Sequence, residues 1–224
     1  MLDKRLRAAA ELVPVGARLA DIGSDHAYLP IALCLENKIE CALASDINEG
    51  PVAAAVANIG KNGLSSRITA IREDGLGGAR DFSPDCITVL GMGGELIVSI
   101  LDAAPWIKKE GITLILQPMT HAETVAKYLA AQGFAVKKET IVMENGRDDR
   151  IYRIICAEYD GQIRELSEAE ACVGVLDENR LDGDTRAYVS RCVRSLETRM
   201  NGKMAAGRDF SYEEELIRSL SRYL

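Results

Sequence analysis

Two carboxylates, a hydroxyl and a histidine crowd one short turn, Ala20-Asp21-Ile22-Gly23-Ser24-Asp25-His26-Ala27-Tyr28-Leu29-Pro30. The turn follows an apolar run and precedes a helical-looking one. It therefore reads as strand, turn, helix, the place where α/β sheets bind nucleotide-like ligands. Turns that cradle phosphate use several glycines and avoid acids, because backbone N–H groups must approach an anion. This turn has one glycine, Gly23, beside Ser24, and its two acids, Asp21 and Asp25, repel a pyrophosphate and attract a cation. A positively charged nucleoside without phosphate fits. S-adenosylmethionine, with its sulfonium and ammonium groups, is the obvious one.

Further acids recur at matching places. Asp46 closes the second apolar run, where a carboxylate commonly accepts hydrogen bonds from ribose hydroxyls. A helix cap would also call for an acid there, although Asn48 could serve. Asp74, in Glu73-Asp74-Gly75, can accept from an adenine amino group while Gly75 lets backbone come close; a plain turn would use the same dipeptide. Three acids at successive strand ends are far more specific than any one. Gly91-Met92-Gly93-Gly94 suits backbone passing close to a flat group, or simply a tight turn. Gln117, followed by Pro118, could pair with a base edge, since its amide both donates and accepts. The two histidines, His26 and His121, both fall at strand-to-helix junctions. Tyr28 could stack on an adenine or pack under the first helix of the sheet.

Alternating elements must position these groups. Residues 2–13 read as an amphipathic helix capped by Asp3, with Leu2, Leu6, Ala9 or Ala10, and Val13 on one face. Strands are predicted at 17–22, 41–46, 67–72, 85–90 and 112–117, and helices at 28–37, 50–60, 93–103 and 121–132. This spacing means a parallel sheet with helices on both faces. Two more strands, FAVKKETIVME and RIYRIICAEY, follow with Asn145-Gly146 between them, a hairpin that places an antiparallel strand at one edge. Seven strands ending so form the Rossmann-like α/β arrangement of class I methyltransferases. After about Asp160 no strand-like segment remains. Helical stretches at 167–179, 184–205 and 211–224 carry apolar stripes through Tyr188, Cys192, Leu196, Met200 and Met204, and through Tyr212, Leu216, Ile217, Leu220 and Tyr223. The expected division is a binding domain at 1–160 and a small all-helical, coiled-coil-like domain at 161–224.

With 224 residues, 47% apolar and 27% charged, the chain can bury a substantial core, mostly aliphatic since aromatics make up 5%. No apolar run approaches a membrane span of roughly 20 residues. The charged N-terminus does not read as a signal peptide, so the expected address is cytoplasmic. Six scattered cysteines, without a CxxC pair, read as free thiols rather than a metal or disulfide framework. The net charge of −7 argues against non-specific nucleic-acid binding. Between Arg180 and Arg208, however, seven basic residues face three acids (Asp182, Asp184, Glu197), which makes either a solvated helix face or a local basic surface.

The ordered set ADIGSDHAYLP, Asp46, DGL at 74–76, GMGGELI at 91–97 and LILQP at 114–118 resembles the bacterial tRNA (adenine(22)-N(1))-methyltransferases over residues 2–158. The helical C-terminal part looks like that family's coiled-coil-like domain. The resemblance implies S-adenosylmethionine as donor and tRNA as substrate. It places Asp21, Gly23, Ser24 and Asp25 around the methionine moiety, Asp46 and Ile47 at ribose and adenine, Asp74 and Gly75 at the adenine amino edge, and Gly91 and Met92 near the methyl group. Where family members commonly carry Asn after Gln-Pro, this chain has Met119.

On this reading Asp25 stabilises charge developing on the target adenine, with His26, Tyr28 and Gln117 orienting the base. Pro118 and His121 border the substrate side. Arg186, Arg191, Arg194, Arg199 and Lys203 grip the tRNA backbone. A monomer without metal suffices. A methyltransferase for a small molecule or protein, and a non-catalytic donor- and tRNA-binding module, remain alternatives. A dehydrogenase is a poor third, because GxGxxG is absent.

Overall fold

The aliphatic runs pair into one sheet in the computed structural model, which describes residues 2–144, 150–174 and 182–224. The strands are β1 (Ala17–Ile22), β2 (Ile39–Asp46), β3 (Ile68–Arg72), β4 (Cys86–Gly93), β5 (Thr113–Thr120), β6 (Phe134–Met143) and β7 (Ile151–Tyr159). Their order across the sheet is β3-β2-β1-β4-β5-β7-β6, with β1 to β5 parallel and β7 antiparallel to both its neighbours. The predicted seven-stranded arrangement with an antiparallel edge hairpin is thus present; the Asn145-Gly146 turn lies outside the described residues.

Helices cover both faces. On one, α1 (Lys4–Leu12), α2 (Tyr28–Leu35) and α3 (Glu49–Lys61) bury Ala9, Leu33 and Ile59 against Leu19, Ala42 and Ile115. On the other, α4 (Ala79–Phe82), α5 (Gly94–Asp102) and α6 (Ala122–Ala131) bury Ala79, Ile97, Leu101 and Val125 against Ile87, Leu114 and Leu116. Asp3 caps α1 as expected, its Oδ1 accepting from the Leu6 N–H at 2.7 Å. All six cysteines are free. Among the described residues, no helix is long and apolar enough to cross a membrane.

Two strands overrun their predicted ends. β4 continues to Gly93 and β5 to Thr120, with register shifts around Met92. The GMGG run is therefore largely strand, interrupted at Gly91, whose φ of +78° is a left-handed conformation natural to glycine. Gly94 must be small for another reason: a Cβ there would stand 2.2 Å from the His121 carbonyl oxygen, because α5 starts hard against the β5–α6 junction.

The C-terminal helices are α7 (Glu168–Val173), α8 (Gly183–Ala205) and α9 (Ser211–Leu220). Their apolar side rests on the outer half of the β6–β7 hairpin, where Tyr188, Val189, Val193, Leu196, Leu216 and Leu220 close over Ile151 with Ile141 and Met143 beside them. The predicted stripe is buried at Tyr188 and Leu196, Val189 and Val193 join the buried side, and Met204 at its far end is half-exposed. The predicted helix at 167–179 is observed to Val173, and residues 175–179 lie outside the described set.

Arg153 of β7 joins the helices to the sheet. Its side chain is 2% exposed, and Nε and Nη2 donate to Glu139 Oε1 of β6 at 3.0 and 2.6 Å. Nη1 donates to the Ala171 and Cys172 carbonyls at the end of α7, at 2.8 and 3.2 Å. Burial disfavours the charged guanidinium, but Glu139 and Tyr188 together more than offset it and hold the group above its usual pKa. Arg153→Leu leaves the Glu139 carboxylate, 15% exposed, without its partner and should destabilise the fold by about 3 kcal/mol in a urea titration. Adding Glu139→Leu should recover part of that loss; a double variant as unstable as the single would show that the pair is not what holds these elements together.

Candidate active site

The carboxyl ends of β1 to β5 form one continuous rim. The Ser24 N–H donates to the Ser45 carbonyl at 2.8 Å, and the Glu73 N–H to the Asp46 carbonyl at 3.0 Å, tying the β1, β2 and β3 ends together. Gly23, at φ +71°, faces Met92 from β4: a Cβ on it would lie 2.1 Å from the Met92 methyl. The first turn and the GMGG segment therefore meet, as the expected methionine-binding grouping requires.

Asp21 is buried at 6% exposure. Its Oδ2 accepts from Ser24 Oγ and its Oδ1 from Thr88 Oγ1, both at 2.6 Å. Burial pushes its carboxyl above the usual range, against the opposing pull of the two hydroxyls and of Arg5. Asp25 points outward instead, 70% exposed, with His26 Nε2 at 3.1 Å from its Oδ1.

His26 and Ala27 both adopt left-handed backbone, at φ 62° and 57°. Two such non-glycine residues in succession each cost on the order of 1–3 kcal/mol, a strain that clusters at functional sites. Ala27 is fully buried, and Asn58 Nδ2 of α3 holds the His26 carbonyl at 3.1 Å. The kink sets the His26 and Tyr28 rings in a stack, centroids 5.2 Å apart, with Tyr28 53% exposed. Tyr28 thus offers its ring at the rim rather than packing beneath α2.

Asp46 is half-buried, one oxygen accepting from the Asn48 N–H at 2.8 Å. Asn48 occupies the α3 cap position but makes no side-chain capping bond. Ile47 is 54% exposed beside it. Next to Asp46, Ser45 Oγ is a buried polar atom without a partner among the described residues. Asp74 is exposed and borders a cavity of about 460 Å3 with Gly75, Leu96, Ser99 and Trp106. Carboxylates at the β1, β2 and β3 ends, one bulging glycine and no phosphate nest suit a cationic adenosine derivative.

Gln117 is placed differently from its expected role. It is fully buried, and both ends of its amide are engaged. Oε1 accepts from Arg5 Nη1 at 2.9 Å and from the Gly91 N–H at 3.1 Å; Nε2 faces the Pro118 carbonyl at 3.0 Å and Met119 Sδ at 3.4 Å. It satisfies the N–H that the Gly91 irregularity releases from the ladder, and so cannot also pair with a base edge. Met119 supplies a sulfur acceptor at the position where the resembling family commonly carries Asn.

The basic residues of α8 also separate. Arg191 and Arg199 line a cavity of about 460 Å3 that begins at Pro118, Met119 and His121. Arg186 instead donates to the Leu224 carbonyl at 3.1 Å. Lys203 pairs with Glu213 at 2.8 Å. Arg194 is exposed and does not line the cavity. At 100° per residue the five positions spread around the helix, so they do not make one basic face. His121, itself at φ 53°, sits 3.4 Å from Glu123.

Three participants escaped the sequence reading. Thr88 was signalled only by being a hydroxyl inside an aliphatic strand, and Asn58 only by being polar among alanines and valines. Arg5 carried no signal; on an amphipathic helix it reads as solvated. Yet it reaches Gln117 and lies 5.8 Å from the Tyr152 ring centroid.

Asp21 has a testable pH signature. A carboxyl with a raised folded-state pKa contributes stability below its unfolded pKa and loses it as pH rises through the folded value. Asp21→Asn should therefore match or exceed the parent's unfolding midpoint near pH 7, with the gain vanishing by about pH 4. Isothermal calorimetry should meanwhile find S-adenosylmethionine bound more weakly. A variant markedly less stable than the parent at neutral pH would show that hydrogen bonding outweighs burial here.

Comparison with known proteins agrees with this geometry. The family model described as "Methyltransferase domain" matches residues 2–155. The tRNA (adenine(22)-N(1))-methyltransferase of Bacillus subtilis (strain 168) is 40% identical over 171 residues, spanning 71% of this chain and 69% of that protein. The solved structure of the B. subtilis M1A22 tRNA methyltransferase TrmK superposes with a TM-score of 0.82 at 31% identity, covering 99% of this chain and 94% of that one. A putative tRNA (m1A22) methyltransferase from Streptococcus pneumoniae, solved in complex with S-adenosyl-L-methionine, gives 0.84 at 29% identity, covering 98% and 99%. The chain belongs to the tRNA (adenine(22)-N(1))-methyltransferase family, within the Rossmann-like class I methyltransferases.

Proposed function

We propose that this chain methylates N1 of adenine 22 in tRNA with S-adenosylmethionine as donor, acting as a cytoplasmic monomer. The observation that carries the reading is the row of strand-end carboxylates, Asp21, Asp46 and Asp74, in a rim without a phosphate nest, taken together with family membership. Residues 1–160 form the donor-binding body in this proposal, and 161–224 the tRNA-gripping part.

The donor supplies an electrophilic methyl group: the N1–C bond forms as the C–S bond breaks, the electron pair leaving on sulfur. Gly23, Ser24 and Met92 hold the methionine end, Asp46 and Ile47 the ribose and adenine, Asp74 and Gly75 the amino edge. The N1 lone pair is available in an exposed adenine, so no strong base is required. Methylation leaves the ring cationic, and in this proposal the exposed Asp25 carboxylate, 3.1 Å from His26 Nε2, stabilises that charge. His26 and Tyr28 present stacked rings against which the target base is oriented. N1 is a Watson–Crick atom, so a paired base must first be exposed. Gln117 acts as a positioning residue through Gly91.

Reaction with an unmodified tRNA transcript, followed by nuclease mapping with mass spectrometry, should place one methyl group on adenine 22. Methylation confined to small molecules or protein would overturn the proposal. Asp25→Ala should lower kcat on the order of 100-fold while donor affinity stays within about threefold. Equal losses in both would reassign Asp25 to donor binding.

A further inference from the structure

The cavity beyond the rim is lined by none of the residues proposed to hold the donor. It opens at Pro118 and Met119, where β5 ends beside the donor cleft, and runs to α8 and α9. We propose that it seats a nucleotide flanking the target adenine, with its phosphate on Arg191 and Arg199 and its base against Met119 and Tyr212. This rests on the tRNA methyltransferase reading.

Charge and shape both point to a nucleotide. The protein is acidic overall, yet three guanidinium groups line this cavity: Arg153, already paired with Glu139, and Arg191 and Arg199. Arg191 lies 5.5 Å from the buried Tyr188 ring centroid, which stiffens it. Arg199 is 53% exposed and shares the Glu213 carboxylate with Lys203, at 3.7 and 2.8 Å, so one acid is set against two cations. Glu123, the carboxylate on the cavity wall, is drawn to His121. Met119 and Tyr212, 49% and 45% exposed, supply a polarisable and an aromatic surface of the kind on which bases stack. About 460 Å3 falls within the roughly 300–1,000 Å3 of small-ligand sites. The position suits the reaction: an adenine turned out of its helix displaces the adjoining backbone, and a neighbour held here would keep it displaced.

The test compares steady-state methylation of a tRNA transcript across variants of the full chain. Arg191→Ala and Arg199→Ala should each raise KM for tRNA about tenfold, leave the Kd for S-adenosylmethionine unchanged, and make the salt dependence of tRNA binding shallower by about one unit. Arg218→Ala, which removes the same charge from the exposed side of α9, should change KM less than twofold. Ser195→Trp fills the cavity without altering charge and should raise KM with an unchanged unfolding midpoint. Arginine variants no worse than Arg218→Ala, or a Ser195→Trp protein with the parent's KM, would overturn the subsite while leaving the methyltransferase reading intact. A parent protein that methylates no tRNA would remove both.

Discussion

One buried guanidinium decides how the two parts of this molecule meet. Arg153 sits on the penultimate strand of the sheet, neutralised by Glu139 across the hairpin and capped by the carbonyls that end α7. A charge so buried is tolerable only with its partners in place, and those partners lie on separate elements. The helices are therefore held at one position on the hairpin, reinforced by Asp184 of α8, whose Oδ2 accepts from the Met143 N–H at 3.0 Å. The cavity beside the β5 end exists because of that docking, and Arg153 lies on its wall.

A second polar cluster organises the donor cleft by the same logic. Gln117 and Asp21 are both buried, and both are hydrogen-bonded within the protein. Gln117 accepts from the Gly91 N–H at the irregularity of β4; Asp21 binds the first turn to β4 through Ser24 and Thr88. Arg5 reaches in from α1 and connects the two electrostatically. The groups left facing solvent at the rim are Asp25 and Tyr28, which flank the left-handed backbone at His26 and Ala27.

Much of this was legible in the chain itself. Aliphatic runs at regular spacing announced the parallel strands and their crossover helices within two or three residues, and the paired β-rich segments after residue 133 announced the hairpin. Acids placed at successive strand ends pointed to a cationic nucleoside, a donor class that agrees with the family the chain belongs to. Misreadings arose where a side chain's partner was remote. Gln117 looked like a base reader because its neighbours in sequence do not reveal Arg5, 112 positions away. The basic residues between 186 and 203 looked like a common surface because composition ignores helical phase.

The sequence by itself determined the order of elements, the sheet's edge hairpin and the acidic, phosphate-averse character of the donor turn. All three follow from local periodicity and residue chemistry. Only tertiary structure decided which polar groups face the cleft, which arginines of α8 line the cavity, and that Arg5, Asn58 and Thr88 belong to the site. Those depend on burial and on contacts between residues far apart in the chain, which no local pattern encodes.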